Sequence, residues 1–299
     1  MKKMKKFLLL SAVLTAAVCA QAQQRVVAHA GQDYTIEDAM SASGNSVTYQ
    51  WFRDGVAISG ATGATYTVPA NLAKMEGATI YTSNGAKFQR AAYGIDCMGG
   101  VAMSNTVTIY FCDLMVNGIC WARANSDVNG RINLNPYDRG DFFQWNKLVG
   151  YNPTTANAAV SGWSAAADNA ATWTNGYPCP PGWRLPTAQD IENLFAIGSV
   201  WVAGGLRGVP AGTSGKFFGY NTDYCTISNM VGCVFIPTSG FIATNGVFSP
   251  GPTFGYYWSG ESYASTTGRI LRVGADANMV YYTNAKNNAF SIRCVIDVN

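Results

Sequence analysis

Hydrophobic positions in this chain follow two rhythms, and the change between them marks the elements. Alternation with a period of two dominates. Residues 47–53 (VTYQWFR) alternate as a strand and run into Asp54-Gly55, a tight-turn pair. Residues 64–68 predict a second strand stopped by Pro69, and residues 104–110 a third. From Asp113 to Trp121 the alternation is looser and centres on Asn117-Gly118, a hairpin signal. Strand pattern returns at 200–202, at 233–236 before Pro237, and in the tail at 255–259, 269–273, 279–282 and 290–296. Helical period occurs once with clear signs of a start. Ile191, Leu194, Phe195 and Gly198 fall at i, i+3, i+4 and i+7, Thr187 sits where an N-cap belongs, and Asp190 is placed for a capping box. That apolar face has to bury against something.

Three stretches break the pattern. Residues 125–136 read as a polar, Asn-rich loop. Residues 156–174 are rich in alanine and serine, hold Trp163 and Trp173, and predict a short helix or irregular structure. Residues 205–255, rich in glycine, predict a long irregular loop except near Cys233; such loops are usually functional or held by crosslinks. At the other end, Lys2, Lys3, Lys5 and Lys6, an apolar run over 7–18 and Ala20-Gln21-Ala22 read as an export signal over 1–22, with cleavage before Gln23. The apolar run is too short to span roughly 30 Å of hydrocarbon, so no transmembrane segment is expected.

Removing that signal changes the charge picture. The chain has 20 Lys and Arg against 17 Asp and Glu, but four lysines lie in the signal. The remainder is close to neutral, which leaves no basic stripe for nucleic acid or anionic membrane. Its roughly 277 residues suggest two domains, and the cysteines agree. None lies between residues 23 and 96, whereas Cys97, Cys112, Cys120, Cys179, Cys225, Cys233 and Cys294 follow. In an exported chain these read as disulfide partners. Cys112 and Cys120 flank the Asn117-Gly118 hairpin and suit a bridge across it. Cys225 and Cys233 would crosslink the long loop, worth roughly 2–3 kcal/mol. No metal site is expected, because the chain has no CxxC pair and its one histidine, His29, is far from the cysteines.

Residues 23–111 read as a small β-sandwich. Their run YQWFRDGVAISGAT, over 49–62, resembles bacterial immunoglobulin-like surface domains, with Trp51 as the core tryptophan but without an inter-sheet disulfide. Residues 112–299 carry a second resemblance. The run CPPGWRLPT at 179–187, Tyr256-Tyr257-Trp258-Ser259 and Ser291-Ile292-Arg293-Cys294-Val295 resemble the Fibrobacter succinogenes major paralogous domain family. Residues 116–121 (VNGICW) and 143–146 (FQWN) are similar to its opening strands. The likeness spans about 113–297. It implies a C-type-lectin-like fold on a secreted protein of the Bacteroidota, with Trp183 and Trp258 in its core, and it implies no activity. Because Cys179 and Cys294 both lie in motifs of the family, the resemblance also implies their pairing, a loop closure worth about 4–5 kcal/mol. A Cys294 pairing with Cys225 or Cys233 is the competing frame, and Cys97 is left over.

The expected fold is therefore mostly β with α+β character: an immunoglobulin-like sandwich followed by a C-type-lectin-like α/β domain. Catalytic chemistry finds little purchase. No histidine stands near a nucleophile, no phosphate-binding loop follows a strand, and no spacing favours facing carboxylates among Asp223, Glu261 and Asp276. Asp127-Val128-Asn129-Gly130 falls short of a calcium loop, and the Glu-Pro-Asn and Trp-Asn-Asp motifs of calcium-dependent lectins are absent. A non-catalytic recognition or adhesion protein without a cofactor fits better, with a surface glycan or protein as ligand. Tyr220, Asn221, Asp223 and Tyr224 are the candidate binding residues: the rings offer apolar faces, and the amide and carboxylate offer hydrogen bonds. The competing reading is that these rings fill a loop-rich core. A structural part of a surface assembly such as a pilus tip, or an enzyme of unknown class, are the alternatives.

Overall fold

A computed structural model of the chain describes residues 23–28, 33–37, 47–68, 86–94, 101–127, 130–133, 135–180, 182–251, 253–276 and 282–298. The expected export signal, His29, Cys97 and most of the expected 279–282 strand lie outside the described residues. The fold is mostly β, built from several small sheets with one α-helix among the described residues. No helix in it is long and apolar enough to cross a membrane. Every sheet takes its strands from one side of Cys112 or the other.

Before Cys112, strands Gln23–Ala28, Thr106–Phe111, Ala86–Tyr93, Thr48–Arg53 and Val56–Ala57 form one sheet in that order, and Val101–Met103 also pairs with Ala86–Tyr93. The first pair is parallel. Asp54 and Gly55, at φ of 49° and 81°, supply the left-handed turn that the Asp-Gly pair predicts. An antiparallel pair, Tyr34–Ile36 with Tyr66–Val68, closes over this sheet. Trp51, Phe88 and Ile109 from one layer meet Ile36 and Val68 from the other in a buried core.

After Cys112 the chain opens and closes on the same sheet. Leu114–Val116 and Ile119–Trp121 form the expected hairpin about Asn117 and Gly118, both left-handed, and Val295–Asp297 adds to its free edge. The helix Ala188–Ala196 begins as its sequence demands: the Asp190 amide donates to Thr187 Oγ1 at 3.1 Å, and the Thr187 amide to Asp190 Oδ2 at 2.8 Å. Ile191 and Leu194 bury against Phe218, Tyr257 and Leu271. Gly198 does not extend that face. The helix ends at Ala196, and Gly198 leaves it at φ 97°, a conformation other residues adopt at a cost.

The largest correction to the sequence reading concerns residues 205–255. Gly215–Gly219 is the middle strand of a sheet, between Ser199–Val202 and Cys233–Pro237, and all five of its residues are buried. Phe218 faces the helix, while Phe217 packs with Phe235 and Val202 on the opposite side. Its glycines look like loop residues but mark close approach: a Cβ on Gly215 would come within 2.6 Å of the Phe235 ring. Phe241–Ile242 and Phe248–Ser249 are further short strands in the same stretch. Two other loops are also more ordered than expected. Asn125 and Ser126 are buried and Ser126–Asp127 pairs with Arg131–Ile132, while residues 156–174 form no helix. The latter are pinned by Trp163, whose Nε1 donates to Thr244 O at 3.0 Å, and by the buried Trp173.

The expected 290–296 strand is broken in two. Ala289–Phe290 and Val295–Asp297 belong to different sheets, and Ser291–Cys294 threads between them. There Arg293, with no exposed surface, donates to the carbonyls of Ala122 and Phe235, each at 2.8 Å. Replacing Arg293 with Met should leave both carbonyls unpaired and cost roughly 2–5 kcal/mol. Urea unfolding measures this, and a loss below about 0.5 kcal/mol would show that the guanidinium adds nothing to the fold.

A second prediction concerns acid. Arg184 bonds Asp190 at 2.7 Å and Asp297 at 2.8 Å, and Arg272 bonds Asp276 at 2.7 Å. The hydrogen bond from Arg184 holds the Asp297 carboxyl below its ordinary 3.8, and that from Arg272 does the same for Asp276. Carboxyls depressed in the folded state contribute stability above their unfolded pKa and lose it as pH falls through the folded value. Stability should therefore decline below about pH 4, and the Asp297→Asn, Asp276→Asn double variant should show a shallower decline. Thermal melts between neutral and acid pH test this; an unchanged acid slope in the variant refutes it.

Candidate functional site

The four candidate binding residues lie in the excursion between strands Gly215–Gly219 and Cys233–Pro237. That segment folds back over one face of its own sheet. Its inward side chains, Cys225 and Met230, are buried with Val202, Val209, Phe217 and Phe235, and Ile227 packs at their edge. The outward side chains are the candidates. Tyr220 is 65% exposed and Tyr224 76%, and Asn221 and Asp223 are exposed beside them. Neither ring fills a core.

The backbone beneath these side chains is tied at many points. Thr222–Tyr224 forms a short 3-10 turn, in which the Tyr224 amide donates to Asn221 O and the Cys225 amide to Thr222 O, each at 3.3 Å. The Tyr220 amide donates to Gly232 O at 3.4 Å, closing the base of the excursion. Thr226 and Asn229 exchange backbone hydrogen bonds across a tight turn. The disulfide Cys225–Cys233 anchors the whole segment to its outgoing strand.

Three residues that sequence reasoning did not select hold the loop from outside. Arg207 Nη1 donates to Thr222 O at 2.5 Å, and Arg207 O accepts from the Ile227 amide at 3.0 Å. Arg123 reaches Ile227 O at 3.4 Å and pairs with the buried carboxylate of Asp113 at 3.2 Å. The Asp113 carbonyl in turn accepts from the Gly232 amide at 2.8 Å. A pattern search had no means of finding Arg207, because its left-handed backbone (φ 51°) has no signature in a non-glycine residue.

All three bridges named from the sequence are present. Cys112–Cys120 spans the hairpin, Cys179–Cys294 joins the segment before the helix to the end of the chain, and Cys225–Cys233 clamps the candidate loop. The competing pairing of Cys294 with Cys225 or Cys233 is excluded by these. Trp183 and Trp258 are both buried.

Around the candidate loop the chemistry is that of contact. Asp223 makes no hydrogen bond or ion pair with a described residue, so its carboxylate is open to a ligand. The other acids of this region are engaged elsewhere: Glu261 accepts from the Ala188 amide at the helix start at 3.0 Å, and Asp276 holds Arg272. Among the described residues no group of three His, Cys, Asp or Glu is placed to hold a metal ion. Clefts of about 420 and 310 Å³ occur elsewhere, and none of the four candidates lines either one.

Comparisons with models of protein families, with characterised proteins and with solved structures find no match to this chain. If the bridge preorganises the loop, replacing Cys225 and Cys233 with Ala should cost roughly 2–3 kcal/mol on the loop-entropy relation. Amide exchange over 220–232 should accelerate more than elsewhere; uniform acceleration would show instead that the bridge serves the whole fold.

Proposed function

We propose that this is an exported, non-catalytic recognition protein that engages a surface glycan or a surface protein through the 220–224 segment. On this reading residues 23–111 form an immunoglobulin-like spacer, and residues 112–299 are a C-type-lectin-like domain related to the Fibrobacter succinogenes major paralogous domain family. The motif residues favour this: Trp183, Trp258, Arg293 and Cys294, all in the motifs that carry the resemblance, are buried. Nucleic acid is not the ligand on this reading, because the sequence beyond the expected export signal is close to neutral in charge.

One observation carries the reading. Two large rings are held out in solvent on a backbone fixed by a disulfide and by hydrogen bonds from two arginines. An exposed tyrosine on a mobile loop means little, because ordering it on binding would cost much of the contact energy. On a fixed loop that ordering cost has already been met during folding. Leu206, 60% exposed, precedes the Arg207 tie, and Val231, 45% exposed, precedes Gly232, so the segments that tie the loop also expose apolar side chains. Asp223 and Asn221 supply the polar contacts that select among hydroxyl patterns.

The test is a glycan array probed with the full chain, with and without calcium, paired with a surface-protein binding screen. The variant Tyr220→Ala with Tyr224→Ala should abolish binding to whichever ligand emerges. Because both rings are exposed, its melting temperature should stay within about 2 °C of the parent. Unchanged binding would exclude this loop as the contact surface, and a large fall in melting temperature would show the rings to be structural.

A further inference from the structure

The cleft of about 420 Å³ lies between residues 137–139, 210–213, 238–239 and 248–251. Its size suits a sugar unit or two. Arg139 lines it, and the surroundings of that side chain are unusual for this protein. Nη2 donates to Asn152 Oδ1 at 3.1 Å and to the Pro153 carbonyl. Nε and Nη1 make no hydrogen bond, and the guanidinium no ion pair, with any described residue. The group lies over the Phe248 ring at 5.0 Å and near the Phe142 ring at 5.9 Å, which holds its plane in place. Its main chain is equally fixed, since Arg139 O accepts from Asn125 Nδ2 at 2.9 Å and from Ser291 Oγ at 3.0 Å.

The remaining lining decides the class of ligand. Tyr137 and Thr213 present hydroxyls that bond no described residue, and Asp138 presents a carboxylate whose Oδ2 accepts from Asn135 at 3.2 Å. Pro210 and Pro250 supply flat apolar wall. This half-buried cation makes no close ion pair with a described residue and feels only the Asp141 charge, so it can still take an anion on its open donors. Asp138 beside it repels a compact, multiply charged ion such as phosphate and accepts from hydroxyl groups instead. Half-burial is felt by the guanidinium itself: desolvation lowers its pKa, against an opposing pull from Asp141.

We propose that this cleft is a binding site for a hexuronic acid unit of an acidic glycan, with the sugar carboxylate on Arg139 and its ring hydroxyls on Asp138, Thr213 and Tyr137. The site is separate from the Tyr220 loop and stands or falls without it.

Titration calorimetry of the full chain with D-glucuronate, D-glucose, acetate and inorganic phosphate tests the assignment. Glucuronate should bind at least about tenfold more tightly than glucose or acetate, and phosphate should not compete, since a charge-assisted contact and the hydroxyl contacts are both required. Arg139→Gln should lower glucuronate affinity about tenfold or more, and Thr213→Val about threefold. Tyr220→Ala with Tyr224→Ala should leave it unchanged, which separates this site from the loop. Because Arg139 also supports the fold, Thr213→Val with an unchanged melting temperature carries the test if Arg139→Gln unfolds. No heat with glucuronate, equal affinity for acetate or glucose, competition by phosphate, or indifference to both substitutions would each overturn the proposal.

Discussion

Arg293 is the point on which the second half of this protein depends. Its guanidinium reaches two carbonyls that lie 171 and 58 residues away in the chain, Ala122 and Phe235. Tyr257 lies beside it, donating to Pro237 O at 2.5 Å and accepting from Asn125 Nδ2 at 3.3 Å. Burial pushes the arginine pKa down to about 10, eased by Tyr257, and pushes the Tyr257 hydroxyl up. At neutral pH the pair is thus a buried cation beside a neutral phenol. A charge in such a place costs several kcal/mol unless its hydrogen bonds are met. Nη1 and Nη2 each meet a carbonyl, while the buried Nε has no partner, so the two bonds offset the cost only when the opening hairpin, the three-stranded sheet and the last segment are in place together.

The covalent frame reinforces the same point. Cys294 follows Arg293 and is tied to Cys179, and Arg184, five residues on from Cys179, exchanges both backbone hydrogen bonds with Val295 while its side chain spans Asp190 and Asp297. One short run before the helix is thereby joined to the last strand by a disulfide, a bridge of backbone bonds and an ion pair. The helix then presses Phe195, Ile191 and Leu194 on the face of the sheet holding Phe218. That leaves the opposite face, with Phe217 and Phe235, to be covered by something else. No second α-helix lies among the described residues; the 220–232 segment covers this face, and the candidate contact residues are its outward side.

How much of this was legible in the sequence follows from what each signal measures. The helix could be placed because its cap is local chemistry: Thr187 and Asp190 satisfy each other without help from the rest of the chain. The two hairpin turns were legible for the same reason, since Asp54-Gly55 and Asn117-Gly118 adopt left-handed backbone whatever surrounds them. Strand Gly215–Gly219 was not, because its two glycines answer to neighbouring backbone that only the folded sheet brings near. The break at Ser291–Cys294 was hidden too, because alternation continues through it while the chain changes sheets. Tyr220 and Tyr224 could be named as candidates from composition, yet their exposure depends on Cys225 and Met230 turning inward. Arg139 gave no sign, since an isolated arginine in a sequence says nothing about whether a carboxylate will meet it.

Charge is used sparingly here, at 12% of residues, and that economy makes the exceptions informative. Asp113 meets Arg123, Asp127 meets Arg131, Asp168 meets Lys147, and Arg184 holds two carboxylates. Lys216 donates to Asp276 O, and Lys286, fully buried, donates to Ala170 O and Ser265 O over the Trp145 ring. These charges are spent on architecture: they hold irregular backbone where regular ladders are missing, which a fold with such short strands requires. Asp223 and Arg139 depart from that usage. One stands on a clamped loop without a partner, and the other lines a cleft with donors still unfilled. Glu37, Lys87 and Glu192 are also exposed without a side-chain partner among the described residues, so what sets Asp223 and Arg139 apart is their place, one on a disulfide-clamped loop and the other lining a cleft. The two differ in sign, a carboxylate on the loop and a guanidinium in the cleft, so they select different features of a ligand. A polymer bearing both hydroxyls and carboxylates has the chemistry to meet each of them.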